Sequence, residues 1–426
     1  MRILLLATNY APELTGSGKY TSELGAWFAA RGHAVTAIVG PPHYPEWQVP
    51  TPYAERPFTV ERIERVDVRR VPMLVPPPDS VTSARRIVME SSFTLAATRW
   101  APLALRRDSR PDVMFAVCPP LQVGALGWLL ARVGNFPWVF HVQDLQVDAA
   151  TRLDMLSGRR VRSALLALER RILAGADAVS TITEAMRASV VAKGIERAKT
   201  LLLPNWADVD LVRPSPADDE LRLKLGAGRG QTLFLYAGNI GKKQGLDVLI
   251  DAADRLREKT NVRVAVVGAG ADRNRLVQQA KDRSVTNVSF HDLVPSEELP
   301  RLLAAADVHL VLQKRQAADV VMPSKLTNIL AAGRPTIATA DAGTELHRVL
   351  TEHDAGDVVP PEDPVALAQA LLRSSEAPAR RTEMGWNARR YAERYLDKDA
   401  ILARFEHELV RLVERRTTVH RGRADL

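Results

Sequence analysis

The run Leu233-Phe234-Leu235-Tyr236-Ala237-Gly238-Asn239-Ile240-Gly241-Lys242-Lys243-Gln244-Gly245 decides the architecture of this chain. Four apolar residues lead into a glycine loop, and a helical pattern follows over Leu246–Lys259. That order is a strand feeding a helix, the repeating unit of a parallel sheet. Glycines at 238, 241 and 245 frame Lys242 and Lys243 at a helix mouth. Backbone N–H groups and two cations there suit a diphosphate, the competing reading being a solvated turn.

Working outward, the same pattern recurs. Apolar or β-branched runs at Arg263–Val267, Val288–Phe290, Val308–Leu312, Thr336–Ala338 and Val358–Val359 complete one series. A second series precedes it at Arg2–Ala7, Ala34–Val39, Val113–Val117, Val139–Val142 and Ala178–Ile182, with helical stretches such as Tyr20–Arg31 and Arg160–Ala174. Spacings of roughly 20–30 residues predict parallel strands buried on both faces. Pro204, Pro214, Pro216 and Asp218–Glu220 read as a linker between the series. The expected fold is α/β, two doubly wound Rossmann-like domains facing a cleft. Leu396–Val413 reads as a long amphipathic helix that suits either domain.

Composition bounds the function. A chain of 426 residues, 46% hydrophobic and 25% charged, is long enough for two or three domains. With Cys118 alone, an internal disulfide is excluded. Ile3–Ala7 is too short for a signal peptide core and runs into Asn9, Pro12 and Glu13. No stretch approaches the roughly 18 apolar residues of a spanning helix, so the expectation is a cytoplasmic chain that touches a membrane at most. Residues 1–200 hold 25 Lys/Arg against 18 Asp/Glu, and the remainder 33 against 32. A basic first half points to an anionic partner.

Ligands of open parallel sheets bind beyond the carboxyl ends of the strands. After the first strand, Asn9-Tyr10-Ala11-Pro12-Glu13-Leu14-Thr15-Gly16-Ser17-Gly18-Lys19 opens a helix. Glu13 stands where a Walker loop has its first Gly, and Thr21 where a dinucleotide fingerprint has its third. Val266-Val267-Gly268-Ala269-Gly270 resembles half that fingerprint, with Arg273 in the third position. In Pro323-Ser324-Lys325-Leu326-Thr327-Asn328, Ser324 reads as a helix N-cap. Lys325 in the first turn opposes the helix dipole, which makes sense beside a phosphate, and Asn328 one turn on could reach a ribose or sugar. Trp138-Val139-Phe140-His141-Val142-Gln143-Asp144 brings three polar groups to one strand end, a catalytic candidate. No spacing suits a metal site, and no G-x-S-x-G elbow is present.

Arg85–Arg110 carries six arginines, among them Arg85, Arg86, Arg106 and Arg107, against Glu90 and Asp108. Phe93, Leu95, Trp100, Leu103 and Leu105 lie between the clusters. Such a segment suits an interfacial helix on anionic lipid, the plain alternative being a solvated domain surface. Nucleic acid is not expected, since no aromatic platform interleaves the charges.

Taken together, these segments resemble the family-4 glycosyltransferases of the GT-B fold, and most closely the bacterial colanic-acid and O-antigen branch. The resemblance runs from about residue 1 to 395. It is carried by Asn9–Gly16, Pro41-Pro42-His43-Tyr44-Pro45, His141–Asp144 with Val147-Asp148-Ala149-Ala150, and Leu203-Pro204-Asn205-Trp206-Ala207-Asp208. Gly238–Gly245 and Pro323-Ser324-Lys325 with Ala331-Ala332-Gly333-Arg334-Pro335 complete it. It implies an acceptor-binding domain over residues 1–205, a nucleotide-sugar domain over 206–385, and a helix with a basic tail over 386–426 returning to the first.

The resemblance further implies a retaining, metal-independent transfer, with a nucleotide-diphosphate sugar as substrate and no cofactor. Lys242 and Lys243 would hold the phosphates, with Gly238 and Asn239 in the same loop. Ser324 and Lys325 would line the donor pocket, Asn328 would meet the ribose, and Gly16 would let backbone approach the donor. His141 and Asp144 would face the reacting sugar. A lipid-linked saccharide on the inner membrane face is the implied acceptor. The broader family has Arg at position 239, Lys at 244 and a Glu pair at 320 and 328, where this chain has Asn, Gln, Val and Asn; Asp319 is close by. An epimerase of similar fold and a non-catalytic nucleotide-sugar-binding subunit are the other two functions compatible with these residues.

Overall fold

The computed structural model describes residues 1–13, 16–44, 46–148, 159–315 and 323–424. Its first sheet contains β1 Arg2–Ala7, β2 Ala34–Val39, β3 Val60–Ile63, β4 Val66–Arg70, β5 Val113–Cys118, β6 Trp138–Val142, β7 Ala178–Thr181 and β8 Thr200–Leu202. The order is β3-β4-β2-β1-β5-β6-β7-β8, parallel except for the β3–β4 pair. The second sheet contains β9 Thr232–Ala237, β10 Val262–Val267, β11 Val288–His291, β12 Val308–Val311, β13 Thr336–Thr339 and β14 Gly356–Val359. It is wholly parallel, in the order β11-β10-β9-β12-β13-β14. Every strand expected from its apolar run is present.

Three strands were not legible in the sequence. In β3 and β4, Arg, Glu and Asp obscure the alternation, yet Val66, Val68 and Arg70 are buried. Their turn uses Glu64 and Arg65, both at positive φ, where glycine or asparagine is the usual signal. The third, β8, has only three residues.

One compact unit comprises Met1–Pro204 with Leu402–Leu426, and the other Asn205–Ile401. The presumed linker is part of the second unit. Arg389 donates to the carbonyls of Val209, Val212 and Ala331 at 2.7–3.0 Å, and Arg334 to that of Ser215 at 2.8 Å. Lys398 bonds Asp208, and Trp206 is buried. Residues 386–401 likewise belong to the second unit, because Ala388, Ala392 and Leu396 join its core. The returning segment therefore begins at Leu402, later than the expected 386.

The last helix, Lys398–Ala424, packs on the first unit through Phe405, whose ring lies 5.6 Å from that of Phe115. Arg31 and His33 bind Glu406 at 2.8 and 2.6 Å. Burial opposes ionisation of Glu406, but the hydrogen bonds and charges of Arg31 and His33 outweigh it and lower its pKa. Its contribution to stability is then present above the ordinary carboxylate range and lost as pH falls through the lowered value. Glu406→Gln should destabilise the protein at pH 7, with the difference from wild type shrinking toward pH 3.5. Urea unfolding at the two pH values measures this.

Candidate active site

The loops at the carboxyl ends of β9 and β10 are built around each other. Gly238 N donates to Val267 O at 2.9 Å, and Ile240 N to Ala269 O at 2.8 Å. A Cβ on Gly268 would fall 1.9 Å from Gly238 O, and one on Gly270 2.3 Å from Ile240 O. Both glycines lie at positive φ. The half-fingerprint is thus a packing device, holding the β9 loop in place.

That loop then makes a single turn, Lys242–Gln244, in which Gln244 Oε1 accepts from Gly241 N at 3.2 Å. Lys242 and Lys243 are exposed. From the next strand end, Lys314 N donates to Lys243 O at 3.0 Å, and the Lys314 stem crosses Gly245. Asp272 is held below the usual carboxylate range, first by its hydrogen bond from Arg275 and further by the charges of Lys242 and Lys314. Two lysines, Lys242 and Lys314, therefore act on Asp272, whose oxygens are engaged by Arg275 at 2.7 and 2.6 Å.

A further lysine lies beside the start of the same loop. The helix Ser324–Ala331 starts with Pro323 at its N-cap and has no side-chain cap, so Ser324 is its first residue and not the expected cap. Lys325 lies partly at the surface, but its Nζ is sealed from solvent and has no hydrogen-bond partner among the described residues. Nζ sits 3.8 Å from the centroid of the Tyr236 ring and 3.2 Å from where a Cβ on Gly238 would be. Tyr236 Oη donates to Asn239 O at 2.7 Å, which fixes both ring and loop. Burial lowers the Lys325 pKa to about 7. Gly238, Asn239, Lys242, Lys243, Ser324, Lys325 and Asn328 all belong to the second unit.

Tyr236 and Lys314 were missed as site residues. The aromatic position beside Gly238 was the available sign for Tyr236, whereas nothing in the sequence singles out Lys314. Asp319 and Val320, like Ala149 and Ala150, lie outside the described residues.

In the first unit, His141 departs from expectation. Its ring is 3% exposed, stacks on Phe115 with centroids 5.1 Å apart, and has Nδ1 2.9 Å from Ser180 Oγ. Burial lowers its pKa to about 3, against a smaller raising effect of its Ser180 hydrogen bond. It is a neutral, buried histidine within β6, one residue before the strand's end. Asp144 does lie beyond that end, half-buried, its carbonyl accepting from Cys118 Sγ at 3.7 Å.

Gly16 opens the first helix, Gly16–Ala30, at φ 57, with nothing within 4 Å of a Cβ built there. The preceding Glu13 is buried, and its Oε1 accepts from the backbone N–H of His43 and of Tyr44. Its Oε2 accepts from Asn9 Nδ2 at 2.8 Å. Glu13 therefore ties the Asn9 motif to the Pro41 motif.

The arginine segment is not one interfacial helix. It forms helices Ser83–Ala97 and Ala101–Leu105 about the turn Thr98–Trp100. Phe93 is buried and Trp100 half-buried, with Arg69 4.8 Å and Arg99 5.5 Å from its ring. The face left outward is different: Arg85, Arg86, Ile87, Val88, Leu95, Leu105, Arg106 and Arg107 are exposed, as are Leu129, Arg132 and Val133 on the neighbouring helix Leu121–Gly134. Among the described residues, no helix is long and apolar enough to cross a membrane, and no cluster suits a metal ion.

Two Rossmann-like units, the second with a glycine loop and converging lysines, define a GT-B enzyme. The chain belongs to the family-4 glycosyltransferases. Residues 15–206 match the glycosyl transferase 4-like domain, and residues 217–391 match glycosyl transferases group 1. The chain is 39% identical over 415 residues to WcaI of Escherichia coli K12, named for a glycosyl transferase role in colanic acid biosynthesis, covering 96% of this chain and 100% of that protein. Sucrose-phosphate synthase of Thermosynechococcus elongatus shares the fold with a TM-score of 0.75 at 20% identity, covering 97% and 99% of the two chains. Anabaena Alr3699/HepE, solved with UDP-glucose, gives 0.70 at 16% identity, covering 96% and 99%.

Gly268→Ala should misplace the β9 loop, since its methyl group would meet a backbone oxygen. A loss of at least about 2 kcal/mol in urea unfolding is expected, the scale of a severe backbone conflict. Gly16→Ala, with open space around it but at φ 57, should cost about 1–2 kcal/mol, the strain of a left-handed non-glycine residue alone.

Proposed function

We propose that this glycosyltransferase moves a sugar from a nucleotide-diphosphate sugar to a lipid-linked, polyprenyl-diphosphate saccharide, during assembly of an exopolysaccharide, capsule or O-antigen. The carrying observation is the Gly238–Gly245 loop, with Lys242 and Lys243 exposed on its turn, the Lys314 stem across Gly245 and the Lys325 side-chain nitrogen beside Gly238. A leaving diphosphate needs positive charge to stabilise it; Lys242, Lys243 and Lys314 with the loop N–H groups offer it in advance, and Lys325 lies beside the loop to add to it. Asn328 then serves the ribose and Ser324 the pocket wall, while Gly16 and Asp144 serve the donor and the reacting sugar. The UDP-glucose complex of HepE and the name of WcaI favour this reading over an epimerase or a non-catalytic subunit.

In the proposed transfer, the bond between the sugar's anomeric carbon and the diphosphate oxygen breaks, and the acceptor hydroxyl oxygen bonds that carbon. Retention requires entry on the face the diphosphate leaves. The departing oxygen is then the nearest base for the hydroxyl proton, so no side-chain base is required. The lysines lower the barrier by stabilising the diphosphate as charge collects there.

For the acceptor, the outward arginines and aliphatic residues of the Ser83 and Ala101 helices fit an anionic lipid surface, with the enzyme peripheral on the cytoplasmic face. The charge attracts lipid headgroups, and Ile87, Val88, Leu95 and Leu105 enter the interface.

Labelled nucleotide sugars incubated with membrane extract decide the reaction. Label entering the lipid fraction supports transfer, interconverted free nucleotide sugar supports the epimerase, and binding without turnover supports the inactive subunit. Lys242→Ala with Lys243→Ala should weaken nucleotide-diphosphate binding by at least about 1–3 kcal/mol, and unchanged affinity removes these phosphate contacts. Neutralising Arg85, Arg86, Arg106 and Arg107 together should cut sedimentation with phosphatidylglycerol vesicles at least about tenfold, each arginine near the surface being worth about 1 kcal/mol. Unaltered sedimentation places the membrane contact elsewhere.

A further inference from the structure

We propose that Lys325 is uncharged in the empty donor pocket and takes up a proton as the donor's diphosphate binds, so that its positive charge arrives with the anion. This rests on the donor reading above and adds a proton to the binding reaction. Three features of the geometry carry it. The nitrogen is sealed from water and has no hydrogen-bond partner among the described residues. Its one favourable neighbour is the Tyr236 ring at 3.8 Å, which replaces only part of an ammonium ion's hydration. Gly238 puts no side chain between Nζ and the loop proposed to hold the diphosphate: a Cβ there would fall 3.2 Å from the nitrogen.

The surrounding groups reinforce this balance. From β9, the Tyr236 phenol is neutral, since burial raises its pKa. From β12, His309 is neutral as well: burial lowers its pKa to about 4, and both Arg334 and Lys325 disfavour its protonation. From the helix Pro378–Tyr391, Arg389 is engaged with Glu393 and three backbone carbonyls near the far end of the Ser324 helix. Thus, among the described residues, the neighbours named on these packed elements give Lys325 no carboxylate, whereas a diphosphate would supply two negative charges.

The sign follows from linkage. Burial holds the empty-site pKa near 7, and a bound anion raises it, so binding consumes a proton between the two values. Above pH 7 the affinity should fall by up to about tenfold per pH unit until the bound-state pKa is reached.

Isothermal titration of UDP-glucose and GDP-mannose into the full chain tests this, using buffers of different ionisation enthalpy. The diphosphate of a nucleotide sugar has no titrating group near neutrality, so buffer-dependent heat reports protons exchanged by the protein. The expected result at pH 7.5 is uptake of more than about half a proton per donor, approaching zero at pH 5.5. Lys325→Arg, whose charge is fixed, should abolish the uptake. Lys325→Met, of similar volume, should abolish it and weaken binding at least about tenfold. Binding with buffer-independent heat at pH 7.5, or uptake that survives either substitution, overturns the proposal while leaving the donor reading intact. Failure of a whole nucleotide-sugar panel to bind overturns both. If a variant does not fold, the wild-type heats decide alone.

Discussion

A parallel sheet covered by helices on both faces has no open side. In β1 and β9 nearly every residue is buried, so neither strand can present a polar group to a ligand along its length. Chemistry is forced to the carboxyl ends, where the chain leaves the sheet and its N–H groups are no longer committed to the ladder. The glycines at 268 and 270 follow from that constraint. Two adjacent strand ends must turn away together, and only residues without Cβ let their backbones run this close. The exact position of the Lys242 turn therefore depends on atoms in a neighbouring loop that need not touch a ligand.

The same constraint explains how this branch dispenses with charges that the broader family carries. Asn239 and Gln244 take the places of an arginine and a lysine, and Val320 and Asn328 those of two glutamates, so two positive and two negative charges vanish together and the balance is kept. The carbonyl of Asn239 accepts from Tyr236, and Gln244 closes its own turn, so two of the substituted positions shape the loop. Positive charge comes instead from Lys325, brought from another strand crossing. A cation placed there is shielded by Tyr236 and is not diluted by solvent, which makes it a stronger electrostatic partner than an exposed lysine once an anion arrives.

Both sheets were readable in the sequence because buried strands are short, β-branched and separated by regular helical stretches. The β9 loop was readable because its glycines mark where the strand ends and the next helix begins. What escaped depended on tertiary surroundings. The β3–β4 hairpin hides behind charged residues that face outward, with Arg70 turned in to bind Glu61, Gly40 and Ala11. His141 looked catalytic because polar residues clustered with it. Its burial inside β6 and the Ser180 hydroxyl beside it come from strand pairing that the sequence does not display. The arginine segment showed the right composition but the wrong face, since packing against the Leu121 helix buried Phe93 and turned Leu95 out.

The surplus charge of the first half can now be divided by use. Arg70 is spent in the interior, Arg187 binds Thr200 and Glu184, and Lys193 joins Asp148 and Glu169. These side chains serve the fold and contribute little to the field outside. Arg86, Arg106 and Arg107 form no ion pair among the described residues and stand beside exposed aliphatic side chains. A charged surface meant only for solubility gains nothing from Ile87, Val88 and Leu95 in its midst, and exposing them costs hydration free energy. An interface that is anionic at its rim and apolar beneath would recover that cost, which is why the proposed partner is a phospholipid leaflet.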